Sequence, residues 1–563
     1  MANKINFLIT GLNFNDGSFV DISENEIVVF VGPNNAGKSA SLRNLYEYLH
    51  SLNPQKIINK VRFETHGTSE ELFKEFELKL FRKNDESSNT NFQGMGYSVN
   101  SVFVNLYWGK ANEKGLQELR NHFIKTIDTK ERLTSVDPIQ AINFAQNAPS
   151  FPIHQLQKND LLELKFSDYF YRAFGTDLIV DRGMGATVGL VIGKRPKPQS
   201  GQDRLSFEYQ QLISNLERLE KQGDGMKSFV GVLLNAFTST QPTLLIDEPE
   251  AFLHPPQARL LGKMLAKDLP DEKQLFISTH SEDFLKGLLD ARASNLKIIR
   301  IRREDNRNPV SVISEKDIHK IWKDPLLRHS NILNGLFHSK VVICESDTDC
   351  RFYSAILTAT HEAEGEIAPD LHFTHVGGKH RLPVAINALK QLDVPIACIA
   401  DFDVLNDKDV LKKITDSLGL DWGEIETDWT TVFNSVKSKK SDLDADEVKL
   451  EIENVLKQIK GKSFPKNDAD KIKEILKQSS PWSIAKKTGF TFIPSGDAMQ
   501  AYKRLEASLA NAGLFVVPVG ELEGFCRTVG NHGTAWVTEV LKKDINTNEE
   551  LEDAVKFVKK FYK

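Results

Sequence analysis

The chain has 563 residues, too many for one compact core, so two to four domains are expected. Hydrophobic residues make up 40% and charged residues 26%, and the net charge of −5 excludes a global basic field for nucleic acid. The four cysteines, Cys344, Cys350, Cys398 and Cys526, form no CxxC pair, which excludes zinc-ribbon and thioredoxin-type sites and fits a reduced compartment.

The opening MANKINFLIT lacks a signal-peptide apolar region, and no run approaches about 18 apolar residues. A soluble, cytoplasmic protein without membrane association is expected. The first thirty residues alternate short apolar and polar segments and end in EIVVFV, a buried-strand pattern. GPNNAGKS (32–39) follows and fits G-x-x-x-x-G-K-[ST]. Gly32 and Gly37 let such a loop curl so that backbone N–H groups face phosphates. Lys38 would reach the β- and γ-phosphates, and the Ser39 hydroxyl would ligate Mg²⁺. Gly32, Asn35, Gly37, Lys38 and Ser39 are the expected nucleotide contacts of this loop. Chance would supply about 0.02 such matches in a chain this long.

Ala40–Leu52 reads as a helix. YSVNSVFVNLYW (97–108) reads as a strand, while LQELRNHFIKTID (116–128) and FEYQQLISNLERLEKQ (207–222) have helical spacing. In the last, Leu212, Leu216 and Leu219 would share a face. GKRPKPQSGQDR (193–204) reads as a mobile basic loop. In KQGDGMKSF (221–229), Gly223, Asp224 and Gly225 precede an apolar helix. Glycines at a helix start suit an anion, and a plain turn between helices would read the same way.

TLLIDE (243–248) and QLFIST (274–279) resemble buried parallel strands. In LLIDEPE (244–250), Asp247 would join the Mg²⁺ shell and Glu248 would orient the attacking water. FISTHS (276–281) places His280 after a strand of the same sheet, within reach of a γ-phosphate.

A boundary is expected near 320–337, followed by a second α/β series. VVICE, HFTHV (372–376), PIACIAD (395–401) and LFVVPVG (514–520) are its strands. The segment 405–480 is charged and helical, and 431–480 holds eleven lysines against nine acids, a solvated helix surface. VVICESDTDC (341–350) ends a strand in Glu345, with Asp349 four residues on. PIACIADFDV (395–404) delivers Asp401 and Asp403, which share a face if extended. Four acids at the ends of neighbouring strands make a hard-oxygen site for Mg²⁺ or Mn²⁺. Such a site activates water and neutralises a phosphodiester transition state. Each acid alone could equally cap a strand.

The order of phosphate loop, glycine-rich helix start, strand-DEPE and strand-TH resembles the ABC-type ATPases of the SMC/RecF group. DEPEAFLHPPQ (247–257) is close to their D-loop region, with His254 where many transporters place an aspartate. The resemblance covers about 1–320, with 55–200 a family-specific insertion including dimerisation elements. It implies paired heads, with Gly223 and Gly225 of one head contacting nucleotide held by the other.

ESDTD and DFD resemble the glutamate and DxD motifs of the Toprim fold, with Ser346 replacing the usual glycine. An ABC-type ATPase (1–325) followed by a Toprim domain (326–563, helical insertion about 405–490) resembles the OLD (overcoming lysogenization defect) nucleases. ILNGLFHSKVVICESDTD (332–349) would run a helix directly into the Toprim strand. The resemblance implies an α/β chain that binds ATP and Mg²⁺ or Mn²⁺ and cuts or nicks DNA in bacterial anti-phage defence. Within it, Glu345, Asp349, Asp401 and Asp403 hold metals, and Glu523, preferred over Glu521, assists. A family lysine near the scissile phosphate is unplaced, with Lys542, Lys543 or His532 as candidates. Partners implied are DNA, further copies in a dimer or tetramer through the heads, and a helicase-like protein as in Gabija or a retron reverse transcriptase with its msDNA. The C-terminal GNHGTAWV stretch leans towards the retron type. Arg300, Arg302, Arg303 and Arg307, or Lys194, Arg195 and Lys197, could contact DNA or merely solubilise. A regulatory DNA-binding ATPase whose Toprim domain only docks partners is the alternative, with nucleotidyl transfer a third.

Overall fold

The computed structural model describes residues 5–84, 90–94, 96–145, 147–198, 203–270, 272–291, 295–324, 331–439, 445–459, 464–477 and 481–562. The chain is mixed α/β and divides into two compact units, Met1–Lys323 and Asp324–Lys563.

The first unit is built on a six-stranded sheet. Its strands are β3 (Ile27–Val31), β5 (Ile124–Ile127), β6 (Thr243–Asp247), β7 (Gln274–Ser278), β8 (Leu296–Ile301) and β9 (Val310–Ile313), in the order β9-β8-β3-β7-β6-β5. All pairs are parallel except β8–β9. Every residue of β3 is buried, as a central parallel strand covered on both faces requires. A smaller antiparallel sheet joins β1 (Asn6–Phe14), β2 (Phe19–Asp21) and β4 (Ile58–His66). Helix α1 (Lys38–Ser51) leaves the phosphate loop and buries Leu42, Leu45 and Leu49 in a core shared with both sheets.

Several expectations change here. Of 97–108, only Tyr97–Asn100 is strand; Ser101–Tyr107 is helix, because the Asn100 side chain accepts from Val102 N and caps it. Segment 116–128 is not one helix. After short turns at Gln117–Leu119 and Arg120–Phe123, β-branched Ile124, Thr126 and Ile127 pair with β6. The span 55–200 therefore contains two strands of the ATPase core, β4 and β5. The helix at 207–222 stops at Ser214, because Glu217–Arg218 pair with strand Thr187–Gly193. Leu212 is consequently half exposed while Leu219 is buried. Part of the basic loop 193–204 lies outside the described residues; of the rest, Arg195 is held by Glu163.

The second unit is a parallel four-stranded sheet of β10 (Lys340–Cys344), β11 (Leu371–His375), β12 (Ile396–Ala400) and β13 (Leu514–Val516), in the order β11-β10-β12-β13. Residues 332–337 form a 3₁₀ turn before β10, not an α-helix. Between β12 and β13 come helices including Lys408–Leu418, Trp422–Lys437, Pro481–Thr488 and Asp497–Asn511. Among the described residues, no helix is long and apolar enough to cross a membrane.

Candidate functional site

In the first unit, β3 delivers the phosphate loop and α1 starts at Lys38, so free N–H groups face the loop's concavity. Gly32 has φ +143°, and a Cβ there would lie 2.1 Å from the Ile301 carbonyl oxygen, so no side chain fits. Asn35 takes a left-handed conformation at φ 60°, which asparagine tolerates. Lys38 is buried and folds back to donate to the carbonyls of Gly32 (2.8 Å) and Pro33 (2.7 Å). A cavity of about 720 Å³ opens over this loop. Asn35, Gly37, Lys38 and Ser39 line it together with Asp247, Glu248 and His280 from β6 and β7.

The wall opposite is the turn between β8 and β9, contributing Arg303, Asp305 and Asn308. Asn308 pins that turn to the loop: its amide donates to Ala36 O (2.8 Å), and it exchanges hydrogen bonds with Asn15. Arg303 lines this cavity and stays exposed, whereas Arg300 is fully buried in β8, which takes Arg300 out of the arginine cluster that could contact DNA or merely solubilise.

The carboxylates at the end of β6 are held from several sides. Ser278 Oγ donates to Asp247 Oδ1, and Glu248 N donates to Ser278 O at 2.9 Å. Glu248 sits at φ +47°, a strained conformation for a non-glycine residue, and its carboxylate lies 3.1 Å from His280 Nε2. Burial and the nearby Lys38 lower the His280 pKa, against the pull of Glu248 and Asp247. Glu250, not singled out in the sequence, accepts from Thr279 Oγ1 (2.7 Å) and His280 N (2.8 Å) and ties the DEPE turn to the β7 end. Burial raises its pKa. Gly223 caps helix α3 (Asp224–Thr238) and Gly225 lies in its first turn, against the Phe252 carbonyl. Neither lines the cavity around Lys38.

In the second unit, Glu345 follows β10, and Asp401 and Asp403 follow β12, the neighbouring strand. One oxygen of each lies within 4.8 Å of the others. Glu345 Oε1 accepts from Asp401 N at 3.1 Å, and its backbone carbonyl accepts from Gly377 N and Gly378 N. Asp349 stands outside this trio. Its carboxylate accepts from Ser346 N (2.9 Å) in a capping box that starts helix α4 (Asp347–Glu364), so Ser346 performs a cap that glycine could not. Burial, and then the neighbouring acids, push Glu345 up and Asp401 well above the usual carboxylate range. Burial also raises Asp349, with Glu523 adding to it. Raised carboxylates packed this closely favour a divalent cation in their midst.

Glu523 groups instead with Glu521 and His532. It accepts from Gly533 N at 2.9 Å and lies 3.4 Å from His532 Nδ1. Burial and Glu523 raise the Glu521 pKa. The expected late lysines are engaged elsewhere, Lys542 with Glu539 (2.7 Å) and Lys543 with Thr528 (2.9 Å). Two other lysines face the acids. Lys379 Nζ is 2.9 Å from Asp403 Oδ2, and Lys486 Nζ is 3.5 Å from Asp401 Oδ2 and 3.8 Å from Asp403 Oδ2. Burial opposes the Lys486 charge, but Asp403 and Asp401 outweigh it and raise its pKa. Lys379 stands in HVGGKHRLP (375–383), after β11; Lys486 lies on helix Pro481–Thr488, within the helical insertion expected at about 405–490.

Fold and sites define a P-loop ATPase joined to a Toprim-type acidic sheet. Residues 27–285 match the family described as "AAA domain, putative AbiEii toxin, Type IV TA system". Residues 336–403 match "Overcoming lysogenization defect protein-like, TOPRIM domain". The chain thus joins an ATPase domain to a Toprim domain similar to that of the overcoming-lysogenization-defect proteins. None of the curated proteins matches it. Among solved structures, an Smc head bound to the C-terminal winged-helix domain of ScpA is 14% identical, covering 57% of this chain and 100% of that one, with a TM-score of 0.33. The SMC head domain from Thermotoga maritima is 14% identical, covering 56% and 100%, with a TM-score of 0.29. The Pyrococcus furiosus Smc head with an extended coiled coil is 13% identical, covering 57% and 99%, with a TM-score of 0.30.

Proposed function

We propose that the chain binds and hydrolyses ATP in its first unit and cuts or nicks DNA in its second, using Mg²⁺ or Mn²⁺, as part of cytoplasmic anti-phage defence. The observation that carries the nuclease reading is the Glu345–Asp401–Asp403 trio at the ends of two adjacent parallel strands, with Lys486 beside it. Bound metal would lower the pKa of a coordinated water and screen the phosphate. Glu345, Asp401 and Asp403 are its ligands, with Asp349 and Glu523 placing a second ion or water. Lys486 would neutralise charge developing on the phosphodiester. In the first unit, Ser39 and Asp247 hold Mg²⁺, Glu248 orients water, and His280 senses the γ-phosphate. Gly223 and Gly225 serve nucleotide on a second copy, so heads pair when ATP binds. A reverse transcriptase with its DNA, or a helicase-like protein, is the partner class to test.

Plasmid is incubated with Mg²⁺ or Mn²⁺ and no nucleotide, ATP or a non-hydrolysable analogue. Cutting by the parent, lost in Asp401→Ala and Glu345→Ala, is expected; equal cutting by both variants sinks the assignment. One observation favours the regulatory alternative: the 2.9 Å Lys379–Asp403 ion pair already supplies a cation to the acids. That reading requires no cleavage with any metal or partner while Lys38→Ala still abolishes ATP hydrolysis.

A further inference from the structure

Helix α2 (Thr129–Thr134) follows β5 and carries Arg132, a side chain with no solvent exposure. β5 pairs in parallel with β6, Ile127 against Ile246, so α2 begins beside the carboxylate end of β6. The guanidinium donates to the Asp247 carbonyl oxygen and, at 3.1 Å, to Thr129 Oγ1. Burial lowers its pKa, against the pull of Glu250, Asp247, Glu248 and Asp128 around it. A buried arginine costs several kcal/mol to desolvate in general, so one directed at a peptide carbonyl and a threonine hydroxyl calls for a reason.

The peptide group is the one that joins Asp247 to Glu248. Its carbonyl is held by Arg132 and its N–H by Ser278 O at 2.9 Å. Both ends of that plane are fixed, and Glu248 on its far side is kept at φ +47°. Rotating this plane would swing the Glu248 carboxylate away from His280, 3.1 Å distant. The backbone of Arg132 is clamped in turn. A Cβ on Gly231 of α3 would lie 2.0 Å from the Arg132 carbonyl oxygen, and Asn235 of α3 donates to Ser135 Oγ at 2.7 Å. α3 is the helix that starts at Gly223.

We infer that Arg132 is a positioning residue for ATP hydrolysis: it sets the Asp247–Glu248 peptide and ties that setting to helix α3. It does not line the cavity over the phosphate loop. A shift of α3 would move α2, then the Asp247 carbonyl, then the water-orienting carboxylate. The inference rests on the ATPase reading given above.

Steady-state ATP hydrolysis and nucleotide affinity are measured on the full chain for Arg132→Met, Arg132→Lys and Thr129→Val, with Lys38→Ala alongside. Positioning predicts that Arg132→Met lowers kcat by about tenfold or more with ATP affinity within about threefold of the parent. Arg132→Lys, which keeps the charge and one donor, should recover part of kcat. Unchanged kcat in Arg132→Met, or parallel loss of kcat and affinity, overturns the inference. Should Arg132→Met fail to fold, Thr129→Val decides: kcat about threefold lower at equal affinity supports positioning, and parental kcat overturns it. ATP hydrolysis by Lys38→Ala at the parental rate would instead overturn the ATPase reading itself.

Discussion

Glu248 and His280 meet at 3.1 Å across the ends of two adjacent parallel strands. In the proposed roles, this acid–imidazole pair at the mouth of the phosphate loop would separate binding from hydrolysis. Glu248→Gln should keep ATP affinity and lower hydrolysis by about 10²-fold or more. It should also enrich paired chains in size-exclusion with light scattering when ATP is present. Since burial and Lys38 depress the His280 pKa, the imidazole is neutral at pH 7, and hydrolysis should hold level as pH falls from 8 to about 6.5.

Lys486, on helix Pro481–Thr488, reaches both Asp401 (3.5 Å) and Asp403 (3.8 Å). Lys486→Ala should cut plasmid nicking by about 10²-fold. It should also tighten Mn²⁺ binding, because a positive charge leaves the acidic cluster. Calorimetric Mn²⁺ titration beside a nicking assay reads both, and weaker Mn²⁺ binding would contradict this placement. Lys542→Ala and Lys543→Ala should nick like the parent.

The raised pKa of Asp401 has a definite sign for stability. Folded Asp401 holds its proton more tightly than unfolded aspartate does. Between the two pKa values the unfolded chain binds fewer protons, so metal-free stability falls as pH rises through that window. Asp401→Asn should therefore raise the melting temperature of metal-free protein at pH 8. The parent should gain stability from Mn²⁺ at pH 8 and less at pH 6, where protons compete. The Asn variant should gain little at either pH. Melting curves with chelator and with Mn²⁺ check all three.

Glu163 is 2% exposed and receives Arg182 (2.7 Å), Arg195 (2.6 Å) and Arg204 (3.0 Å). Glu163→Leu removes the buried carboxylate that the three guanidinium groups share, leaving Arg182 and Arg204 the more exposed Asp160, and should cost about 3 kcal/mol. Denaturant unfolding should show the loss, and limited proteolysis should cut first within 150–220.

Local patterns made much of this chain readable. A phosphate loop declares itself through glycine spacing, and Asp247, Glu345 and Asp401 declare themselves by ending apolar strands. Segments with two readings were misassigned: Ile124–Ile127 fits a helix face and a sheet edge, and only pairing with β6 decides. In the sequence Arg300 groups with Arg302, Arg303 and Arg307 as surface charge, yet β8 lies between β9 and β3 and buries it. Arg132, Glu250 and Lys486 could not be ranked from the chain, since each acts through a neighbour at least twenty-nine positions away.

The helices between β12 and β13 resemble a spacer that could be shortened freely. Lys486 argues otherwise. A trimmed domain keeping all four strands and every acid would keep the proposed metal ligands yet lose a positive charge facing them. Length variation in that stretch is thus bounded by chemistry, and grafting this acidic sheet onto another scaffold means transplanting its last helical turns as well.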